Sequence, residues 1–487
     1  MPIPADSFFL DPSTEGTLQA RIQQMVAQGI LSGRFRPGEK LPSSRRLAMH
    51  LGVSRITVTL AYTELLADDY ITSRGRSGYF VSDNAPEPPQ FPALPSGEST
   101  VDWSRIIGSR TTHALGMEKP ANWSSFRYPF IYGQTDPTLF DSANWRLCAL
   151  QALGKKDFGS LTADYYDGDD PKLVEFIARQ TLPRRGILAR PDEILVTLGA
   201  QNALWLTAQV LLNQRRRATV EDPSYPALRS ILTQMRCGLD TVPVDADGLL
   251  PDQIPVGTDV LFTTPSHQCP TTATLSLARR KALLEKAEQE NFLIVEDDYE
   301  FEMSFLKSPS PALKSLDRNG RVIYVGSFSK SLFPGLRLGY LVGAAPFIRE
   351  ARAMRASVLR HPPGHIQRTT AYFLSLGHYD ALIKRMSRAL HERRKVLDAA
   401  IAEHGLTIAG EATFGGSSVW MKAPEGVDTD MLAARLRDQS VLIEPGQSFF
   451  AHEGSPTNFY RLAYSSIPTN RIAEGVRLIA EALKDRG

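Results

Sequence analysis

The sequence predicts an α/β protein: a winged helix-turn-helix at the N-terminus, then a mostly parallel sheet covered by helices. Three observations carry this. Two apolar-periodic stretches, each opened by a serine, stand back to back before a hairpin-like run. A segment rich in proline, glycine and serine, DNAPEPPQFPALPSGEST from Asp83, separates them from the rest. Beyond it, strand-like runs alternate with helical ones, the pattern of βαβ units. At 487 residues the chain exceeds what one core usually serves, and 42% hydrophobic with 22% charged residues is the composition of a folded protein.

In the N-terminal part, Leu18, Ile22, Met25, Val26 and Ile30 recur at helical spacing, and SGRFRPGEKLP then stops the helix. Ser43 can cap a short helix that carries Leu47 and ends at Gly52. Ser54 can cap a longer one carrying Ile56, Leu60, Ala61 and Leu65. YITSRGRSGYFV alternates strand formers around a glycine turn and reads as the hairpin wing. From Arg34 to Arg76 eight basic residues face four acidic ones, so a local +4 sits in a chain whose formal net charge is only +2.

Charge and pattern together point to DNA. The start of the second helix of such a motif meets base edges in the major groove. Arg55 and Thr57 occupy it, Arg45 sits just inside the preceding helix, and Arg74 and Arg76 flank the wing turn, where Gly78 lets backbone approach a duplex. The run LPSSRRLAMHLGVSRITVTLAYTELLADDYITSRGRSGYFV resembles the GntR-type winged-helix domain nearly end to end. The resemblance implies that Arg45, Arg55, Thr57 and the wing around Gly78 contact DNA. The domain is placed over 15–83 and the linker over 84–104.

From 105 to 487 the strand-like runs are EILVTLG, DVLFTTP, FLIVEDD and VIYVGS, with QNALWLTAQVLL and SLARRKALLEKAEQE as helices between them. Ligands of such sheets sit at the carboxyl ends of the strands. There, VGSFSKSLFPGLRLGY supplies Lys330 with Arg337 nearby, and a second positive charge lowers an amine's pKa so that it can act as a nucleophile. Arg337 with Ser327 and Ser329 can clamp a phosphate. In VTLGAQNALWL the amides of Gly199, Ala200 and Gln201 open a helix, another phosphate cradle. FLIVEDDYEFEM ends a strand in acids that include Asp297, followed by Tyr299, and EDPSYPAL places Tyr225 just after a strand.

In this order and spacing these stretches resemble a fold-type I aminotransferase domain with a smaller C-terminal α+β subdomain over 385–487. The resemblance implies pyridoxal 5'-phosphate (PLP) held as a Schiff base on Lys330. Asp297 would pair with the pyridine nitrogen, Tyr299 with the ring hydroxyl, and Tyr225 would stack on the ring. Gly199, Ala200, Gln201, Ser327, Ser329 and Arg337 would surround the phosphate. NFYRLAYSS matches the place where such enzymes keep an arginine for a carboxylate, so Arg461 is the candidate for an effector's anion, with a structural ion pair as its alternative.

One stretch departs from the enzymes. Their Asn-Pro-x-Asn-Pro-Thr-Gly run is here TTPSHQCPTTATLS: the asparagine is missing, His267, Gln268 and Cys269 crowd the place, and Thr272 replaces the glycine. This disfavours efficient transamination. Joined to a GntR-like reader, the whole chain resembles the MocR/GabR regulators, in which TPSHQ is usual.

That resemblance implies a PLP-dependent transcriptional regulator that senses an amine or amino acid of the GABA or taurine kind by transaldimination at Lys330. It also implies operator DNA as partner and a head-to-tail homodimer. PADSFFLDP, before the first helix, resembles members assigned to taurine use. Two alternatives are an active aminotransferase tethered to DNA by its winged helix and a repressor that has lost the cofactor. The three cysteines, Cys148, Cys237 and Cys269, show neither metal-ligand spacing nor an even count, so no metal is expected. No basic leader or long apolar run is visible, and the expected location is cytoplasmic.

Overall fold

The computed structural model describes residues 2–11, 16–86, 101–108, 120–164, 168–307, 310–410, 413–452 and 454–484, with the side chain of Arg76 outside that description. Of the linker expected over 84–104, residues 87–100 lie outside the described residues. The chain divides into two compact units, Met1–Gly108 and Ser109–Gly487.

In the first unit, α1 (Leu18–Leu31), α2 (Ser44–Leu51) and α3 (Arg55–Ala67) form the helical part. Thr17, Ser43 and Ser54 each accept a backbone N–H from the first turn of the following helix, worth about 1 kcal/mol apiece. Gly52 ends α2 at φ 64°, a left-handed turn that glycine enters without strain. The core joins Ile22, Val26 and Ile30 of α1 to Leu47 of α2 and to Val58, Ala61, Tyr62 and Leu65 of α3. Ile56 and Leu60 are among the apolar positions expected of α3. The structure leaves them 72% and 47% exposed, because the buried stripe runs through 58, 61, 62 and 65 and positions 56 and 60 fall on the other side. The wing is an antiparallel pair, β1 (Ile71–Ser73) with β2 (Tyr79–Val81), Thr72 opposite Phe80.

The second unit opens with β3 (Tyr128–Pro129). Its main sheet contains β4 (Ile194–Thr197), β5 (Arg217–Asp222), β6 (Gly238–Asp245), β7 (Gly248–Leu249), β8 (Val260–Thr263), β9 (Leu293–Asp297), β10 (Val322–Ser327) and β11 (Gly339–Val342). Their order is β4-β11-β10-β9-β8-β5-β6-β7, and only β11 and β7 run against the others. Residues alternate between two cores: Leu195, Val295 and Ile323 pack on one face with helix Ala200–Leu211, and Ile194, Val196 and Tyr324 pack on the other. A smaller sheet, order β12-β13-β16-β15, follows: β12 (Thr407–Ile408), β13 (Ser418–Lys422), β15 (Glu444–Pro445) and β16 (Phe459–Ala463). Between these, β14 (Val441–Leu442) pairs with β3.

Candidate functional site

At the carboxyl edge of the main sheet lies a cavity of about 230 Å³ lined by Ala200, Gln201, Tyr225, Asp297, Tyr299, Ser327, Ser329, Lys330, Arg337 and Arg461, with Tyr132, Gly133, Thr264, Cys269 and Pro334. The topology explains the convergence. Strands β5, β9 and β10 run in one direction, so Tyr225, Asp297 and Ser327 follow or end them on the same edge, and the reversed β11 brings Arg337 there from its entry side.

One end of the cavity suits an anion. Gly199 has φ +81° and opens helix Ala200–Leu211; a Cβ there would lie 3.5 Å from Arg337 Nη2 and 3.6 Å from Ser329 Oγ. Ser329 Oγ is shielded and without a hydrogen-bond partner, while Ser327 Oγ accepts the Ser329 N–H at 3.2 Å. Arg337 is exposed and takes φ 49°, a left-handed conformation uncommon for a side-chain-bearing residue and frequent at functional sites.

Midway sits the acid run that ends β9. Glu296 accepts the N–H groups of Leu313 and Lys314 at 2.8 and 2.7 Å. Asp298 accepts Arg185 Nε at 2.6 Å and the Tyr324 hydroxyl at 2.8 Å. Glu300 accepts the Ser417 hydroxyl and lies 3.2 Å from His267 Nε2, and Glu302 accepts the Tyr379 hydroxyl at 2.9 Å. Asp298, Glu300 and Glu302 each keep one buried oxygen without a hydrogen-bond partner, but their other oxygen is engaged; Asp297 is different, because of the five it alone lines the cavity, with its buried Oδ1 partnerless. Burial, then the charge of Asp298, pushes its carboxyl up to about 7.

At the far end, the ring of Tyr132, a residue with no local signal in the sequence, has two basic side chains against it. Lys330 Nζ and Arg461 Cζ are each 4.1 Å from the centroid of the buried Tyr132 ring. Tyr132 follows the short β3, and nothing in FIYG marks it beforehand; its place follows from the pairing of β3 with β14, far away in the chain. Arg461 on β16 donates from Nε to Glu444 Oε2 at 2.8 Å, and its Nη1 lies 3.9 Å from Cys269 Sγ. The guanidinium is thus both ion-paired and cavity-lining; burial opposes its charge most strongly, and Glu444 together with Cys269 and Tyr132 more than offsets burial.

The stretch TTPSHQCPTT has a local explanation. The buried carboxylate of Glu221, at the end of β5, accepts the hydroxyls of Thr263 and Thr264 at 2.6 and 2.7 Å and the Gln268 amide at 3.2 Å. Gln268 also donates to Pro223 O at 2.7 Å. Threonines and glutamine here complete a carboxylate from the EDPSY stretch. Thr272 sits at φ 65°, the left-handed region where the enzymes' glycine would be free of strain.

On the winged-helix unit, Arg45 and Arg55 are exposed at the starts of α2 and α3. Thr57 is half-buried, and its hydroxyl lies 2.8 Å from Ser54 Oγ within the cap. The Arg74 guanidinium stacks 4.7 Å over Phe80 and lies 3.9 Å from Asp83, and Gly78 takes φ 99°. Among the described residues no helix is long and apolar enough to cross a membrane.

Residues 18–81 match the family of bacterial regulatory proteins named gntR, and residues 140–479 match aminotransferase class I and II. The chain is 58% identical to the HTH-type transcriptional regulator TauR of Rhodobacter capsulatus, over 99% of its own length and 100% of the relative's. This chain belongs to the gntR-family transcriptional regulators of MocR type. The regulator is also 28% identical to MocR, a probable rhizopine catabolism regulatory protein of Rhizobium meliloti, over 97% of this chain and 95% of that one. Its aminotransferase-like unit resembles the Pyrococcus horikoshii kynurenine aminotransferase crystallised with PMP, at 26% identity and a TM-score of 0.71, over 80% of this chain and 99% of that one. A MocR-type regulator thus pairs a DNA-binding winged helix with an aminotransferase fold.

Proposed function

We propose that this regulator binds PLP in the sheet-edge cavity and senses an amine that carries an anionic group. The observation that carries the reading is the convergence, in one cavity, of Lys330, the partnerless Asp297 Oδ1 and the Gly199–Ser329–Arg337 cradle. These residues fit the cofactor: the cradle, with Ser327, Ala200 and Gln201, would take its phosphate, Asp297 its ring nitrogen, Tyr299 its ring hydroxyl and Tyr225 its face. The cofactor supplies one aldehyde, for which Lys330 and an incoming primary amine compete.

The protein's own residues then sort the effector. Arg461, paired with Glu444, is placed to hold an anion, and the ring of Tyr132 contacts both that guanidinium and the Lys330 amine. A compact amine with a carboxylate or sulfonate, of the GABA or taurine kind, fits both ends. Signal transfer requires the effector to bind one state of the protein better than another.

We further infer a winged helix over 15–83 that uses Arg45, Arg55, Thr57, Arg74, Arg76 and Gly78 on cytoplasmic operator DNA. A linker over 84–104 joins it to the cofactor domain, with a smaller subdomain from 385. A homodimer would cover Leu147, Leu150, Leu153 and Phe158, which are about half exposed or more on neighbouring helices of the second unit.

The test is to load the purified chain with PLP, then titrate taurine, β-alanine, GABA and their alcohol analogues. The visible absorbance and binding to an operator are followed together. The reading expects a spectral shift with the anionic amines and a parallel change in DNA binding. No absorbance change on adding PLP, or a spectral shift that leaves DNA binding unmoved, would refute it.

A further inference from the structure

We propose that Ile56 reads a thymine methyl group in the operator, beside the base held by Arg55. Ile56 is the second residue of α3 and is 72% exposed, next to the exposed Arg55. Each threonine hydroxyl near this helix start already has one partner within the helix, which leaves it capacity for a further contact. Thr57 Oγ1 lies 2.8 Å from Ser54 Oγ, Thr59 donates to Arg55 O at 2.9 Å, and Thr63 donates to Thr59 O at 3.0 Å. Arg55 and Ile56 present a cation and an apolar surface at the end of the helix that faces the major groove.

That groove offers one apolar feature on its base edges, the C5-methyl of thymine, and a branched aliphatic side chain is the complement to it. Isolated exposed apolar residues are common on protein surfaces, and Met49 on α2 is another at 80%. Ile56 is set apart by its place: the buried side of α3 is already filled by Val58, Ala61, Tyr62 and Leu65, and the opposite side is the one a winged helix lays against DNA. The inference rests on this docking of the family and not on the cofactor reading.

Replacing thymine by uracil removes only the methyl, so the contact can be isolated. A duplex is selected from a random pool by the full-length protein, and each thymine in it is replaced in turn by uracil. One position per half-site is expected to weaken wild-type binding about three- to tenfold. Ile56→Ala should bind the thymine and uracil duplexes equally while keeping its preference for the base read by Arg55. Ile56→Val should retain part of the discrimination. Circular dichroism and the salt dependence of non-specific DNA binding check that the variants fold and dock. Absence of any sensitive thymine, or an Ile56→Ala protein that discriminates as well as the wild type, would overturn the proposal.

Discussion

Arg461 and Glu444 form a nearly fully buried ion pair, Nε to Oε2 at 2.8 Å, at the wall of the same cavity that Lys330 lines. Glu444 on β15 faces Arg461 on β16 in register, so adjacent strands of the small sheet present the pair to the main sheet's edge. The carboxylate offsets the guanidinium's desolvation, and the five N–H donors of the fork exceed those that one carboxylate oxygen engages.

Arg461→Met should abolish the response to anionic amines and destabilise the protein by roughly 3 kcal/mol, because Glu444 is left buried without its partner. Arg461→Met combined with Glu444→Gln should recover much of the stability and none of the response. Thermal denaturation and effector titration separate the two effects; a double variant that responds normally would remove Arg461 from the effector site.

Lys330→Ala should lose the visible absorbance produced with PLP and the effector response, while operator binding persists. Absorption spectra and gel shifts on the same preparation check this. A variant that still answers the effector would show that the amine of Lys330 is not what the effector displaces.

Asp297 carries a pH signature in the cofactor-free protein. Its carboxyl is pushed up to about 7 from an ordinary 3.8, first by burial and then by Asp298. The folded state therefore holds the proton more tightly than the unfolded chain, and the associated stability, complete below 3.8, is lost as pH rises towards 7. Asp297→Asn has no such loss. It should melt at a higher temperature than the wild type at pH 8, with the difference shrinking as pH falls, and it should retain PLP less tightly. A melting difference independent of pH would contradict the raised carboxyl.

Arg55→Ala should weaken operator binding by about 1–3 kcal/mol and relax the preference for a single base, with the cofactor spectrum unchanged. Arg45→Ala should weaken specific and non-specific duplexes alike if it serves the phosphates, and reduce the salt slope by about one counterion. Titrations on operator and scrambled duplexes at two salt concentrations distinguish these roles.

Much of the layout was legible because its signals are local. Ser43, Gly52 and Ser54 act within one turn of their helices, and the caps and left-handed glycine fall where the text suggests. The strands EILVT, VLFT, LIVED and VIYVGS are short apolar runs that read as buried from their own residues. Ile56 and Leu60 misled for the opposite reason. Apolar identity does not say which side of a helix meets the core, and the stripe of α3 is decided by where α1 and α2 lie.

Two units, and six residues that line one cavity, could be picked out along the chain: Lys330, Arg337, Asp297, Tyr299, Tyr225 and Arg461 each stand near a strand end or helix start with a local signal of its own. Which of the five acids from Glu296 to Glu302 lines the cavity follows from sheet order; Asp298, Glu300 and Glu302 also keep one oxygen without a partner and lie outside it. The fold also pairs Arg461 with Glu444 and sets Tyr132 against Lys330 and Arg461. These relations join residues brought together by sheet order and strand register, and contacts of that range leave no trace in spacing along the chain.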